Sequence, residues 1–376
     1  MAKPNTALRL LSISTLVSVG GFAGVQPLAI TLMEHQGLGP TPIGLLSALI
    51  FGGVLALAPF QPALAARFGA MRTYQAGKLL AVLGFLSCAG ATSPWTWAAS
   101  FVQLGLAAAL TWPLTDSLIA TEAPVGRKGA WLGLFQAGMG IAFAVGPFIS
   151  AALAAWPRAV FLGAAGLALL SSLPLLGKRL PIPIEDESSE SGLGHVWRSA
   201  AGFAVLAFLG GLFENGTHTA GLLVALGLGW SGATAVALTG VMAAGSFAIQ
   251  RPLGRLADRL GPRSMSRWAL ITLALSLALL PLAGRWPPLL WALGLIWGAA
   301  SGCLYTLAMT GTAQEFPGPQ VAEATTLMVL GYTTGSMVGP VLGGLAVEAS
   351  PLTGVPWVFG GLAVLGWLFT FRRKPA

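Results

Sequence analysis

Charge is scarce in this sequence. Only 9% of its 376 residues are charged and 55% are hydrophobic, whereas an ordinary soluble domain is roughly 25% charged. So few charges cannot cover a water-soluble fold of this length, and the solvent for most of the chain is lipid. Cysteine is equally sparse: Cys88 and Cys303 both fall inside apolar runs, which suits packing residues and excludes a disulfide framework or a thiolate metal site. The chain has no glycine-rich phosphate loop with its lysine, which excludes an ATP-driven pump built on this chain alone. It also has no clustered nucleophile, base and metal-ligand set, so a membrane-embedded enzyme or a lipid scramblase is the weaker reading. No cofactor and no metal are expected. Polar stretches are short except for 178–199, where Glu185, Asp186, Glu187 and Glu190 stand among prolines and serines; this reads as a solvated cytoplasmic linker. An arginine at mid-span is missing as well, which argues against phosphate or other anions as cargo.

The apolar runs set the architecture. At about twenty residues per bilayer crossing, twelve spans are expected, near 8–33, 43–65, 73–93, 95–120, 130–155, 158–177, 200–224, 231–252, 264–284, 288–313, 322–347 and 352–371. The first is too long for a secretory signal core and has no small-residue cleavage site, so it reads as a retained span. The formal charge of +8 would suggest nucleic acid in a soluble protein. Here the basic residues sort by side instead. With both termini cytoplasmic, every Lys and Arg except Arg158 and Arg285 falls on the cytoplasmic face, the bias expected of a multi-pass inner-membrane protein.

The chain also repeats itself. Gly254 to Arg263, GRLADRLGPR, is answered by Pro62 to Arg72, PALAARFGAMR, at an offset of 192 residues. Glu122 and Pro124 against Glu315 and Pro317, Gly105 and Trp112 against Gly298 and Tyr305, and Gly146-Pro147 against Gly339-Pro340 all lie 193 apart. Several coincidences at one offset indicate two related halves. Glycine is abundant at 51 residues, and in lipid it lets helices approach closely. Gly331, Gly335, Gly339 and Gly343 form one stripe on the eleventh span, where Pro340 predicts a bend.

Twelve spans in two halves, with GRLADRLGPR between the eighth and ninth, resemble the major facilitator superfamily. Gly254, Asp258, Arg259, Gly261 and Arg263 fill every position of that family's loop motif, while the first half keeps Arg67, Gly69 and Arg72 but has Ala66 for the acid. The fifth span is similar to the family's antiporter motif through Gly133, Ala142, Gly146 and Pro147, and the second half looks most like small uncharacterised drug-exporter-like transporters. The resemblance implies an all-α membrane protein of two pseudo-symmetric six-helix bundles, 1–177 and 200–376, joined by the 178–199 linker. It implies gating by the loop residues together with Arg67, and a change in conformational balance on Asp258→Asn. A solute cavity is expected between the halves, lined by Gln26, Gln103, Trp112, Glu214, Asn215, His218 and Tyr305. Few polar groups and several aromatics suit an amphiphilic solute.

One acid lies deep in a span. Glu214, in LGGLFENGTHTAG, has His218 one turn further on, and such a pair could exchange a proton near neutral pH. An intramembrane ionisable residue is a functional hypothesis by default. Asp116, near the cytoplasmic end of the fourth span, reads as a gating contact, and Lys78, at the start of the third, as a side chain snorkelling to the interface. The function expected is proton-coupled export of a small amphiphilic solute by a monomeric protein, with proton-linked import of a nutrient as the alternative.

Overall fold

The computed structural model describes residues 6–122, 128–178, 194–316 and 320–372. Among them every regular element is helical: α1 (Thr6–His35), α2 (Pro40–Leu57), α3 (Gln61–Phe68), α4 (Ala70–Ala89), α5 (Pro94–Glu122), α6 (Lys128–Ala152), α7 (Pro157–Ser172), α8 (Gly194–Gly227), α9 (Gly232–Ala248), α10 (Gln250–Leu260), α11 (Pro262–Ala278), α12 (Leu289–Glu315), α13 (Gln320–Ala349) and α14 (Gly361–Arg372). A single 3-10 turn joins α2 to α3, and α9 passes into α10 at Ile249. With those two joints counted as continuous, the fourteen helices make twelve runs. Nine of the described runs are both long and apolar enough to cross a membrane. Several starts are set by proline, as at Pro94, Pro157 and Pro262, where the missing amide hydrogen has no helical partner to lose. Ser231 caps α9 by accepting the Thr234 amide at 3.2 Å.

Two of the boundaries that differ from those expected bear on the site. The helix of Glu214 begins at Gly194, six residues before the expected start at 200; residues 179–193 lie outside those described. The third run begins at Ala70 rather than near 73.

The chain forms two compact units, Met1–Gln36 with Leu49–Glu185, and Gly37–Ala48 with Asp186–Ala376. Within each, the same glycines make the same contacts. In the first, a Cβ at Gly105 of α5 would strike the Ile50 carbonyl of α2, and one at Gly146 of α6 would strike the Gly20 carbonyl of α1. In the second, Gly298 of α12 lies in the same way against Met242 of α9, and Gly339 of α13 against Leu212 of α8. Backbone meets backbone at each crossing, which is how helices gain dispersion contact where lipid offers no hydrophobic drive. The repeat seen in sequence is therefore a repeat of helix crossings.

The polar loops repeat as well. Gly69 closes α3 and Gly261 closes α10 with φ of 91° and 80°, and their amides donate to the carbonyls of Ala65 and Ala257, both at 2.9 Å. With ψ near 141° and 146°, both glycines occupy a region essentially closed to residues with a side chain. That geometry turns the chain at once into α4 and α11.

Candidate functional site

In the second unit α8 is flanked by α9, α12 and α13, and each of the four contributes to one polar cluster. Glu214 stands midway along α8. Its Oε2 accepts the Tyr332 hydroxyl of α13 at 2.8 Å, and its Oε1 accepts the Ser246 hydroxyl of α9 at the longer distance of 3.5 Å. The Tyr305 ring of α12 packs on the Tyr332 ring with centroids 4.6 Å apart. Asn215 donates to Ser336 of α13 at 3.0 Å, and Thr306 donates to Gln250 at 2.9 Å. Hydroxyl groups thus hold the carboxyl group, and among the described residues no cation forms an ion pair with it.

His218 does not join this cluster. No hydrogen bond or ion pair links it to Glu214, and its Nε2 is buried without a partner among the described residues. The i, i+4 spacing places the two on one side of α8. The hydroxyls of α9 and α13 compete for the carboxyl group and win.

The first unit holds a buried cation that the sequence reading misplaced. Lys78 was expected at the interface; instead it is 1% exposed. It lies eight residues into α4, about 12 Å along the helix. Its Nζ donates to the Ser14 carbonyl at 3.0 Å, to the Ser171 hydroxyl at 3.2 Å and to the Ser18 hydroxyl. Lys78 therefore leaves the set of basic residues on the cytoplasmic face. Nearby, the Thr15 hydroxyl bridges Tyr74 and Thr115, 2.9 Å from each. The cleft beside Lys78 is lined by Ser18, Phe22, Phe85, Thr111 and Trp112, with Trp112 edge-on to Phe22 at 5.6 Å.

Other expected lining residues have separate surroundings. Gln103 accepts the Ser87 hydroxyl at 3.2 Å and so ties α5 to α4. Gln26 is half-buried on α1. Asp116 accepts Gln136 of α6 at 3.4 Å. Of the packing glycines, Gly335 lies against the Phe208 carbonyl and Gly146 also borders Gly24, while Pro147 and Pro340 sit inside α6 and α13.

Among the loop residues, Arg263 pairs with Glu315 at the end of α12 at 2.8 Å, and its guanidinium lies 5.2 Å from the Phe203 ring of α8. Asp258, Arg259 and Gly254 are exposed on α10, and Asp258 makes no hydrogen bond or ion pair among the described residues. In the first half Arg67 lies over Phe68 at 5.2 Å; the side chain of Glu122, the counterpart of Glu315, lies outside those described.

Sequence reasoning missed Tyr332, Ser246 and the serines around Lys78. One signal was present. The chain has only three tyrosines, all in expected membrane spans, where a phenolic hydroxyl needs a polar partner, and each lies in one of these two clusters.

The model of the Major Facilitator Superfamily matches residues 11–249 and again 203–376. The chain is 24% identical over 339 residues to the uncharacterized MFS-type transporter YfkF of Bacillus subtilis, covering 88% of this chain and 86% of that protein. It is 24% identical over 314 residues to the uncharacterized MFS-type transporter YcaD of Salmonella dublin, covering 81% and 80%. Among solved structures, a mutant of the nucleoside transporter NupG aligns with a TM-score of 0.82 at 13% identity over 97% of this chain and 99% of that one. A bacterial homologue of the human lysosomal transporter Spinster aligns at 0.77 and 16% identity over the full length of both. At such identities the structural likenesses speak for the fold alone. The protein is a multi-pass membrane transporter of the alternating-access kind rather than an enzyme, and the chain belongs to the major facilitator superfamily.

Proposed function

We propose that this transporter exports a small amphiphilic solute in exchange for protons, with Glu214 as the proton carrier. The observation that carries the reading is the setting of that carboxyl group, inside a membrane helix and held by the hydroxyls of Tyr332 and Ser246. A charge bound to a fixed cation would be locked. A carboxyl group held by neutral donors is free to gain and lose a proton as its access to water alternates between the two sides. The glycine-rich run ending in Gly146-Pro147 on α6 supports export. The sorting of Lys and Arg supports an inner-membrane protein with both termini cytoplasmic. In the first unit the aromatic rings of Trp112 and Phe22 beside a few polar groups suit an amphiphile.

The test uses inside-out vesicles with an imposed pH gradient. Wild-type protein should accumulate amphiphilic dyes, and Glu214→Gln should abolish that accumulation while leaving gradient-free solute exchange in place. Unaltered pH-driven accumulation by the Gln variant would remove Glu214 from the role.

A further inference from the structure

Lys78 has no part in the proton chemistry just proposed, yet it is the most completely buried basic group described. Burying an ammonium inside a membrane helix is costly, and a neutral side chain could brace three helices without that cost. The structure supplies three oxygen acceptors from α1 and α7, the Ser14 carbonyl and the hydroxyls of Ser18 and Ser171, and none carries a charge. A serine hydroxyl is an exchangeable partner. It can rotate and donate elsewhere, including to an incoming anion. Lys78 also lines the cleft whose walls are Phe22, Phe85, Leu104 and Trp112, with Ser18 and Thr111 as its other polar positions.

We infer that Lys78, with Ser18, is the binding site for the carboxylate of the transported solute, whose apolar body lies against Phe22, Phe85 and Trp112. The inference rests on the amphiphilic reading above and narrows it to monocarboxylic acids. It departs from the expectation, drawn from the lack of an arginine at mid-span, that anions are poor cargo. In this site the carboxylate takes over one or two of the ammonium's hydrogens from the serine hydroxyls, which turn to donate to the same anion. The charge of Lys78 is then matched while solute is bound and held by neutral dipoles while it is absent.

The test is binding to the purified full-length protein without any gradient, read as the concentration dependence of the thermal unfolding midpoint. Matched acids and amides serve as probes: benzoate and benzamide, cinnamate and cinnamamide, octanoate and octanamide. For at least one pair the acid should bind about tenfold to a hundredfold more tightly than its amide, the scale of one hydrogen bond to a charged group. Lys78→Gln should remove that preference, while Lys78→Arg should keep part of it. Equal binding of acid and amide across all three pairs, or no binding of any acid, overturns the inference. So does a preference that persists in Lys78→Gln. The wild-type comparison decides the matter even if that variant does not fold. Because no pH gradient enters, a failure here counts against Lys78 and not against the role of Glu214, which the vesicle experiment reads separately.

Discussion

The hydroxyl of Tyr332 lies 2.8 Å from Oε2 of Glu214, and this contact joins α13 to α8 across the middle of the second unit. Removing it with Tyr332→Phe leaves the ring packed on Tyr305 and takes away the closer of the two donors. The loss of one charge-assisted hydrogen bond in a buried site should slow pH-driven transport by about tenfold or more. Since the tyrosine acts through the carboxyl group, Tyr332→Phe should slow pH-driven transport while leaving gradient-free solute exchange in place, as Glu214→Gln does.

His218 is a different case. Its Nε2 is buried without a hydrogen-bond partner among the described residues, and no hydrogen bond or ion pair there joins it to Glu214. His218→Phe removes an unsatisfied polar atom, so the unfolding midpoint should hold or rise, with a gain on the order of 1 kcal/mol. If the hydroxyls rather than the imidazole serve the carboxyl group, pH-driven transport should survive. Its loss in a folded variant would return the histidine to the proton path.

The two halves were legible in the sequence because glycine at a helix crossing has no substitute. Gly105 and Gly298, or Gly146 and Gly339, keep their spacing because each faces a carbonyl oxygen of the neighbouring helix. The loop motif was legible for a similar reason, since Gly261 occupies backbone angles that other residues avoid. The surroundings of Glu214 and Lys78 were not. Tyr332 stands 118 positions from Glu214, and Ser171 stands 93 from Lys78, so no local pattern pairs them. A shift of three residues in the start of α4, together with the direction in which its side chain leaves the helix, separates a lysine at the interface from a buried one.

The glycine crossings predict a sharp contrast within one residue type. A methyl group at Gly298 would collide with the Met242 carbonyl, and one at Gly105 with the Ile50 carbonyl, whereas nothing lies within 4 Å of a methyl group at Gly254. Gly298→Ala and Gly105→Ala should each cost about 1–3 kcal/mol, as overpacking does, and lower the detergent-solubilised melting point. Gly254→Ala should leave it unchanged. Equal melting points for all three would mean that the crossings have room the structure does not show.

The last contrast lies in the loop motif, between Asp258 and Arg263. Arg263 is tied to Glu315 at 2.8 Å, with side chains 36% and 41% exposed, so solvent screens the pair and its worth is about 0–1 kcal/mol. Glu315→Gln should therefore lower the melting point slightly in low salt and not at all at about 1 M salt, where the screening length falls to about 3 Å. Asp258 has no partner to lose among the described residues, so Asp258→Asn should leave stability within about 0.5 kcal/mol of wild type. Any effect of that substitution on transport must then act on the balance between the states of the cycle, and should change the transport rate while the relative rates for different solutes stay as they were.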